Sequence, residues 1–566
     1  MPAVPAGAVP RSAELPWPAA PKFPAQLIAG LADRRVEVLR FRVDGAQVEV
    51  ADEGCSLLEV LRDRLGRRSP KDGCSPQGQC GCCTVWVDGS PRVSCVTPAR
   101  RVVGREVTTL DGLDPTTRDA WAAAMVDTGA SQCGFCTPGI IMRLAALDAK
   151  GPTDDSSVER ALAAHLCRCT GWRTVLDAAR QVSSDDRSSS PAIRDLASAG
   201  RRAKIEGASS QIVGLETALG NGGFAEDTAP PDALVAIPDD SGGWAVGETL
   251  TEARALAGKI QGRRTTAPLR HPLEIPEGRW DLSLQTTFVE PAYLEPDASW
   301  CVPGGEPANC IANGGAFGGK LASQVGREAR RLADQHGRTV RVIMTREDVV
   351  KLGPKRPPIA AGIASGGRGR VRVARTHGSM PLDQWREAFL QRAPLFEVEE
   401  VLVVGPPVSS DLRGAGWVEA SVLLAALDAK QLGKSGLGHA VTIATPDGGV
   451  ATVEVEQDAV SVLVEAGEVL DEVVLRSYCI GAVHQALGWV RTEGLVVDQD
   501  GVIHDLTVRS FGILPARVMP RVSVKVSDSH GPPVNVSDAV FTAAAAAAWI
   551  ADGFSPRWPV ERGGGR

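Results

Sequence analysis

GCSPQGQCGCCTVWVDGSPRVSC, residues 73–95, places five cysteines on tight, glycine-rich turns. Cys74, Cys80, Cys83 and Cys95 make one set of four, with Cys82 as a neighbour that could replace a ligand. QCGFCTPG (132–139) and HLCRCTGW (165–172) add a second set, Cys133, Cys136, Cys167 and Cys169. Two four-cysteine sets on such backbone predict two [2Fe–2S] clusters, each needing four thiolates brought onto two irons. Zinc is the alternative, because CxxC followed by CxC also supplies a tetrahedral thiolate set. Paired clusters imply that electrons enter at one end of the protein and leave at the other.

Working outward, VEVLRFRVDGAQVEV (36–50) alternates about Asp44-Gly45 and predicts a hairpin. SLLEVLRDRL (56–65) has helical period, and TVWVDGSPRVSC predicts a second hairpin about Asp88-Gly89. Together these look like a ferredoxin-type β-grasp module over 34–97. From 98 to 182 the period is helical, in TTRDAWAAAMVDTG, PGIIMRLAALDAK, DDSSVERALAAHL and TGWRTVLDAARQV, a four-helix unit with the second cysteine set at helix ends. SSDDRSSSP (183–191) is a polar linker, and residues 1–33 are a Pro/Ala-rich flexible extension. Residues 192–566 mix strand candidates (RTVRVIM, ATVEVEQDAVSVLVEAG, VIHDLTVRS) with helical ones (WVEASVLLAALDAKQL, AVFTAAAAAAWIA). The expected fold class is α+β, multidomain.

The 566 residues are 43% apolar, enough for several domains of about 100–200 residues each. A net charge of −7 without a basic block argues against a nucleic-acid partner. No apolar stretch reaches the roughly 18 residues of a membrane span, and the N-terminus lacks the pattern of a signal peptide. Clustered cysteines without an export signal predict metal ligands kept reduced in the cytoplasm.

These motifs together resemble the xanthine dehydrogenase family of molybdenum hydroxylases, which includes aldehyde oxidoreductases and aerobic carbon monoxide dehydrogenases. The resemblance is strongest over 36–181. It implies that Cys74, Cys80, Cys83 and Cys95 hold an outer, plant-ferredoxin-type cluster, and that Cys133, Cys136, Cys167 and Cys169 hold an inner one beside a molybdopterin in a dinucleotide form. Gln132 matches a glutamine that hydrogen-bonds the pterin. NGGAFGGK (313–320) resembles the family's glycine loop at the molybdenum, implying cofactor contacts from Gly314, Gly315, Phe317, Gly318 and Gly319. LRGAGWVEASVLLAALD (412–428) resembles the segment bearing a substrate-orienting arginine, here Arg413, and Gln485 stands where a glutamine contacts the cofactor. The resemblance further implies a small heteroaromatic or aldehyde substrate. FAD would come through a flavoprotein partner, alongside a larger molybdenum subunit.

The chain departs from this pattern. The first loop runs C-x5-C-x2-C, one residue longer than the family's usual spacing. The molybdenum-like region is abbreviated, and no flavin module is visible. The family's C-terminal glutamate, the general base, is absent from GPPVNVSDAVFTAAAAAAW (531–549). Asp538 is the nearest carboxylate there, one methylene shorter, and either Ser537 or Asp538 also reads as a helix N-cap. Glu306, in GGEPA, reads as a surface turn. His165 occupies a place where the family more often has asparagine. A non-catalytic electron-transfer subunit with a vestigial molybdenum domain is the competing reading.

Overall fold

A computed structural model describes residues 38–184, 194–259, 267–311, 313–504 and 506–561. The expected N-terminal extension and nearly all of the expected linker lie outside these residues. The first sheet contains β1 (Val38–Val43), β2 (Ala46–Ala51), β3 (Thr84–Val87), β4 (Ser90–Val93) and β5 (Glu106–Thr108), in the order β2-β1-β5-β3-β4. Alternation of Leu39, Phe41 and Val43 puts one face of β1 on the core. The helical stretch after β2 is one α turn, α1 (Leu57–Glu59), continued as a π turn over Val60–Arg64. The central strand, β5, lies beyond residue 97. Three residues with one apolar side chain are too short to announce a strand by period.

The four helices α2 (Pro115–Asp127), α3 (Thr137–Asp148), α4 (Asp155–Ala161) and α5 (Arg173–Ser183) follow. Pro138 stands in the first turn of α3, where its missing N–H costs nothing.

The remainder opens with α6 (Leu196–Gly207), α7 (Leu215–Ala218), α8 (Ala225–Thr228), β6 (Leu234–Pro238), β7 (Trp244–Gly247), α9 (Leu250–Leu256), β8 (Leu282–Gln285) and β9 (Asp297–Cys301). It continues with α10 (Val325–His336), β10 (Val340–Met344), α11 (Arg346–Leu352), β11 (Ile359–Ile363), β12 (Gly369–Arg375), α12 (Asp383–Arg392) and β13 (Phe396–Leu402). The last elements are α13 (Trp417–Gln431), β14 (Val441–Ala444), β15 (Val450–Val455), β16 (Ala459–Glu465), α14 (Glu472–Arg491), β17 (Arg521–Val526) and α15 (Ser537–Ala551). Three four-stranded sheets result, ordered β7-β6-β10-β9, β13-β12-β11-β8 and β14-β15-β16-β17. The architecture is α+β and multidomain. Among the described residues no helix is long and apolar enough to cross a membrane.

VIHDLTVRS does not form the expected strand. Ile503 makes one bridge to Val497, and the segment beyond it folds over the first cysteine loop instead. Gln77 donates to the Leu506 carbonyl at 2.8 Å and accepts from the Val508 amide at 3.1 Å, so this backbone is satisfied without a sheet.

α15 is buried on nearly every face, packed on α14, α13 and the β14–β15 edge. Its alanine run is what permits this, since side chains no larger than a methyl let three elements approach one helix. The expected cap is corrected here. Val536 is the N-cap, and neither Ser537 nor Asp538 caps the helix. The Asp538 amide is met by Asn535 Oδ1 at 3.1 Å, and the Ser537 and Val536 amides are met by Glu206 of α6, whose Oε2 accepts from them at 2.8 and 3.2 Å. Its Oε1 accepts from Arg202 at 3.0 Å, and both side chains are fully buried. Burial pushes the Glu206 carboxyl up, and the Arg202 charge opposes that.

The ferredoxin-like sheet is fastened to the second half by buried charges. Arg62 reaches Asp227 at 2.9 Å, Lys71 pairs with the same carboxylate, and Arg341 reaches Asp63 at 3.1 Å.

Glu206→Ala leaves Arg202 charged, buried and without its carboxylate, and leaves the Val536 and Ser537 amides without their acceptor. A loss of about 3–5 kcal/mol is expected, read as a lower urea midpoint. Glu206→Gln, which keeps an acceptor oxygen for the α15 amides, should lose less.

Candidate metal centres and cavity

In the first cysteine set Cys74, Cys80, Cys83 and Cys95 are all buried. The Cys74 thiol contacts those of Cys80 and Cys95, and Cys95 also contacts Cys83. Cys82 is fully buried and touches Cys80. Gly73 makes the approach possible, since a Cβ there would stand 3.1 Å from the Cys80 sulfur and 3.2 Å from that of Cys82. In the second set Cys133 and Cys169 are 3.7 Å apart at sulfur, and the Cys136 thiol contacts Cys167. The Cys136 contact, helped by Thr170, draws the Cys167 thiol down to about 6.

In the second set the thiols meet in pairs, Cys133 with Cys169 and Cys136 with Cys167. Two thiolates per iron is the arrangement of a two-iron cluster, whereas a zinc site closes four about a single ion, so this set fits [2Fe–2S] better than zinc. In the first set the thiols form a continuous run, Cys80 to Cys74 to Cys95 to Cys83, with Cys82 against Cys80.

The glycine loop has two working sides. Gly314 and Gly315 adopt φ of +49° and +82°, and a Cβ on Gly315 would lie 3.2 Å from the Cys169 sulfur and 3.4 Å from that of Cys133. Phe317 and Gly318 instead line a cavity of about 180 Å3, with Glu206, Lys320, Arg413, Asn535 and Asp538 also on its wall. A Cβ on Gly318 would run into the Asp411 carbonyl, and one on Gly319 would lie 2.6 Å from Pro291. Arg413 stands 5.7 Å from the Phe317 ring centre and 5.2 Å from that of Phe541. Its Nε donates to Asp538 at 2.8 Å and its Nη1 to Gln485 at 2.9 Å. Gln485 in turn donates to the Arg168 carbonyl at 3.3 Å, between the two inner cysteines. Gln132 donates to the Cys169 carbonyl at 3.1 Å and to Ser477 at 2.9 Å. Arg413, Asp538, Gln485, Phe317 and Gly318 thus share one neighbourhood. Gln132, Gly314 and Gly315 lie on the thiol side of the loop. Glu306 is 96% exposed and belongs to no site.

Two residues here carry no local sequence signal. Arg168 forms a buried ion pair with Glu493, at the end of α14, and also donates to the Pro291 carbonyl at 2.8 Å. Burial pushes the Glu493 carboxyl up and Arg168 opposes it. Glu206 reaches the cavity from α6, more than three hundred residues before Asp538, which no spacing rule predicts.

A family profile described as "[2Fe-2S] binding domain" matches residues 109–180. A probable xanthine dehydrogenase subunit from Bacillus subtilis is 35% identical over 156 residues, 27% of this chain and 90% of that protein. The chain belongs to the molybdenum hydroxylase family. A nicotinate dehydrogenase subunit from Pseudomonas putida is 39% identical over 25% of this chain and 93% of its own length. The chain spans 14% of the xanthine dehydrogenase of Emericella nidulans, at 36% identity. Aldehyde oxidoreductase from Desulfovibrio gigas shares the fold, with a TM-score of 0.68 at 14% identity, covering 93% of this chain and 99% of that one. In this molybdenum hydroxylase-family chain the fold therefore extends well past the part that sequence identity reaches.

Gly315→Ala is expected to reduce the iron held by the second cysteine set and spare the first. Iron content together with the low-temperature EPR signals of the reduced protein will distinguish the two.

Proposed function

We propose that this chain is the iron–sulfur component of a molybdenum hydroxylase-type oxidoreductase. Two [2Fe–2S] clusters, held by Cys74, Cys80, Cys83 and Cys95 and by Cys133, Cys136, Cys167 and Cys169, carry electrons from a molybdopterin centre to a flavin-containing partner subunit. The observation that carries the reading is the double contact of the glycine loop, thiols on one side and the 180 Å3 cavity on the other. That loop is where a cofactor in the cavity would meet the inner cluster. Phe317, Gly318 and Gln485 would hold a molybdopterin, in a dinucleotide form, with Gln132 on its cluster side. When bound, that group supplies the two-electron oxidation of a small heteroaromatic or aldehyde substrate with water as oxygen source. Arg413 orients the substrate, and its positive charge, shared between Asp538 and the Phe541 face, favours a polar substrate edge. Asp538, the carboxylate nearest in sequence to the place of the family's glutamate and on the cavity wall, would take the proton once it lets go of Arg413. A larger molybdenum subunit is a further partner, and cysteines clustered as metal ligands rather than disulfides support a cytoplasmic location.

A second reading, an electron-transfer and docking subunit with a vestigial molybdenum domain, is favoured by one observation. Asp538, the carboxylate nearest the place of the family's glutamate, is engaged by Arg413 at 2.8 Å. Metal analysis with an absorption spectrum decides between the two. The first expects about four irons and four acid-labile sulfides per chain together with molybdenum; the same iron without molybdenum favours the second. In molybdenum-loaded protein, Arg413→Ala should abolish most turnover, and unchanged activity in Asp538→Ala removes Asp538 as the base.

A further inference from the structure

The two cysteine loops meet at one place. The Leu166 amide, next to Cys167, donates to the carbonyl of Cys80 at 3.0 Å, and this is the backbone hydrogen bond that joins one loop to the other among the described residues. Around it the backbones are as close as glycine allows. A Cβ on Gly139 of α3 would collide with the Gly81 carbonyl and lie 2.9 Å from the Cys82 Cα.

His165 stands directly beside this bond. Its ring is fully enclosed and lies against Gly81, where a Cβ would strike the imidazole. Nε2 is 3.2 Å from Thr84 Oγ1 on the first loop's strand and 3.2 Å from the Gly139 carbonyl on the second set's helix. Thr84 already donates its hydroxyl proton to the Gly81 carbonyl at 2.7 Å, and a carbonyl can only accept. Nε2 therefore carries the ring proton and shares it between the two modules. Nδ1 is buried with no hydrogen-bond partner. An unmet buried acceptor costs roughly 1–3 kcal/mol. An apolar side chain would fill the same space without that cost, which marks the imidazole as there for its N–H.

We propose that electrons pass between the two clusters through the Cys167–Leu166 N–H···O=C–Cys80 connection, and that His165 is the positioning residue that holds it closed. The proposal rests on the two-cluster reading above. One electron would leave a reduced inner cluster and enter an oxidised outer one, with no bond made or broken and no proton moved. His165 bonds to Thr84 and the Gly139 carbonyl and to none of the eight thiols. Its N–H ties β3 to α3 and fixes the separation across which the Leu166–Cys80 bond must reach.

The test uses the full chain with its iron. Wild-type protein is first assayed for iron, sulfide and visible absorption. It is then reduced with a limiting one-electron reductant and freeze-quenched, so that the EPR signals of the two clusters report how fast the electron redistributes. In fully reduced protein the magnetic splitting between the clusters is recorded as well. His165→Leu, similar in bulk but without an N–H, should keep full iron, redistribute the electron severalfold more slowly and show a smaller splitting. His165→Gln, whose amide N–H stands close to where Nε2 was, should recover both. If His165→Leu loses iron, Thr84→Val, which removes the acceptor on β3, takes its place with the same expectation. A rate and splitting equal to wild type in an iron-replete His165→Leu or Thr84→Val protein overturn the proposal alone. A wild-type chain without two [2Fe–2S] clusters overturns the reading beneath it.

Discussion

The buried pair between Arg168 and Glu493 holds the molecule together at its most sensitive point. Arg168 lies between two cysteines of the second set, and Glu493 lies where α14 ends in the other half of the chain; their side chains are 5% and 0% exposed. Charges taken this far from water are tolerated only when their partners are well placed. Arg168 has the Pro291 carbonyl as a further acceptor, and its own carbonyl accepts from Gln485. The cysteine turn cannot shift without leaving a charge stranded. That one requirement keeps the thiols, the glycine loop and the Arg413 neighbourhood in register.

Around the pair, the approach of α14 is set by missing side chains. A Cβ at Gly171 would stand 2.7 Å from the Ile480 carbonyl, and one at Gly481 would strike the carbonyl of Cys169. The helix and the turn therefore touch backbone to backbone. The iron–sulfur part is built into the second half rather than attached to it. The charges of the large cavity follow the same economy: Arg413 answers Asp538, and Lys320 answers Glu295 at 2.9 Å. Burial still pushes the Glu295 carboxyl up to about 7.

What the sequence made legible was whatever depends on neighbours along the chain. The cysteine sets, both hairpins, the four helices and the helices over 417–431 and 537–551 are short-range patterns, and they stand where period and turn chemistry put them. What it hid depends on partners far away. A helix cap is normally local, so Ser537 and Asp538 looked sufficient, yet Glu206, more than three hundred residues upstream, accepts from the Ser537 amide, with Asn535 meeting that of Asp538. Asp538 is thereby free to face Arg413, a pairing no local rule contains. VIHDLTVRS alternates like a strand, but its backbone groups are met by Gln77 and Gln79 of the cysteine loop instead. The glycine loop was visible as a motif, while its contact with Cys133 and Cys169 needed the fold.

The enclosure of the second cysteine set bears on how its thiols are reached. Cys136, Cys167 and Cys169 are buried, closed by the first cysteine loop on one side and by α14 and the glycine loop on the other. The opening that remains is at Cys133, which is half-buried and lines a small cavity with Cys136, Cys169 and Gly315. In the folded chain these thiols are therefore approached from the glycine-loop side.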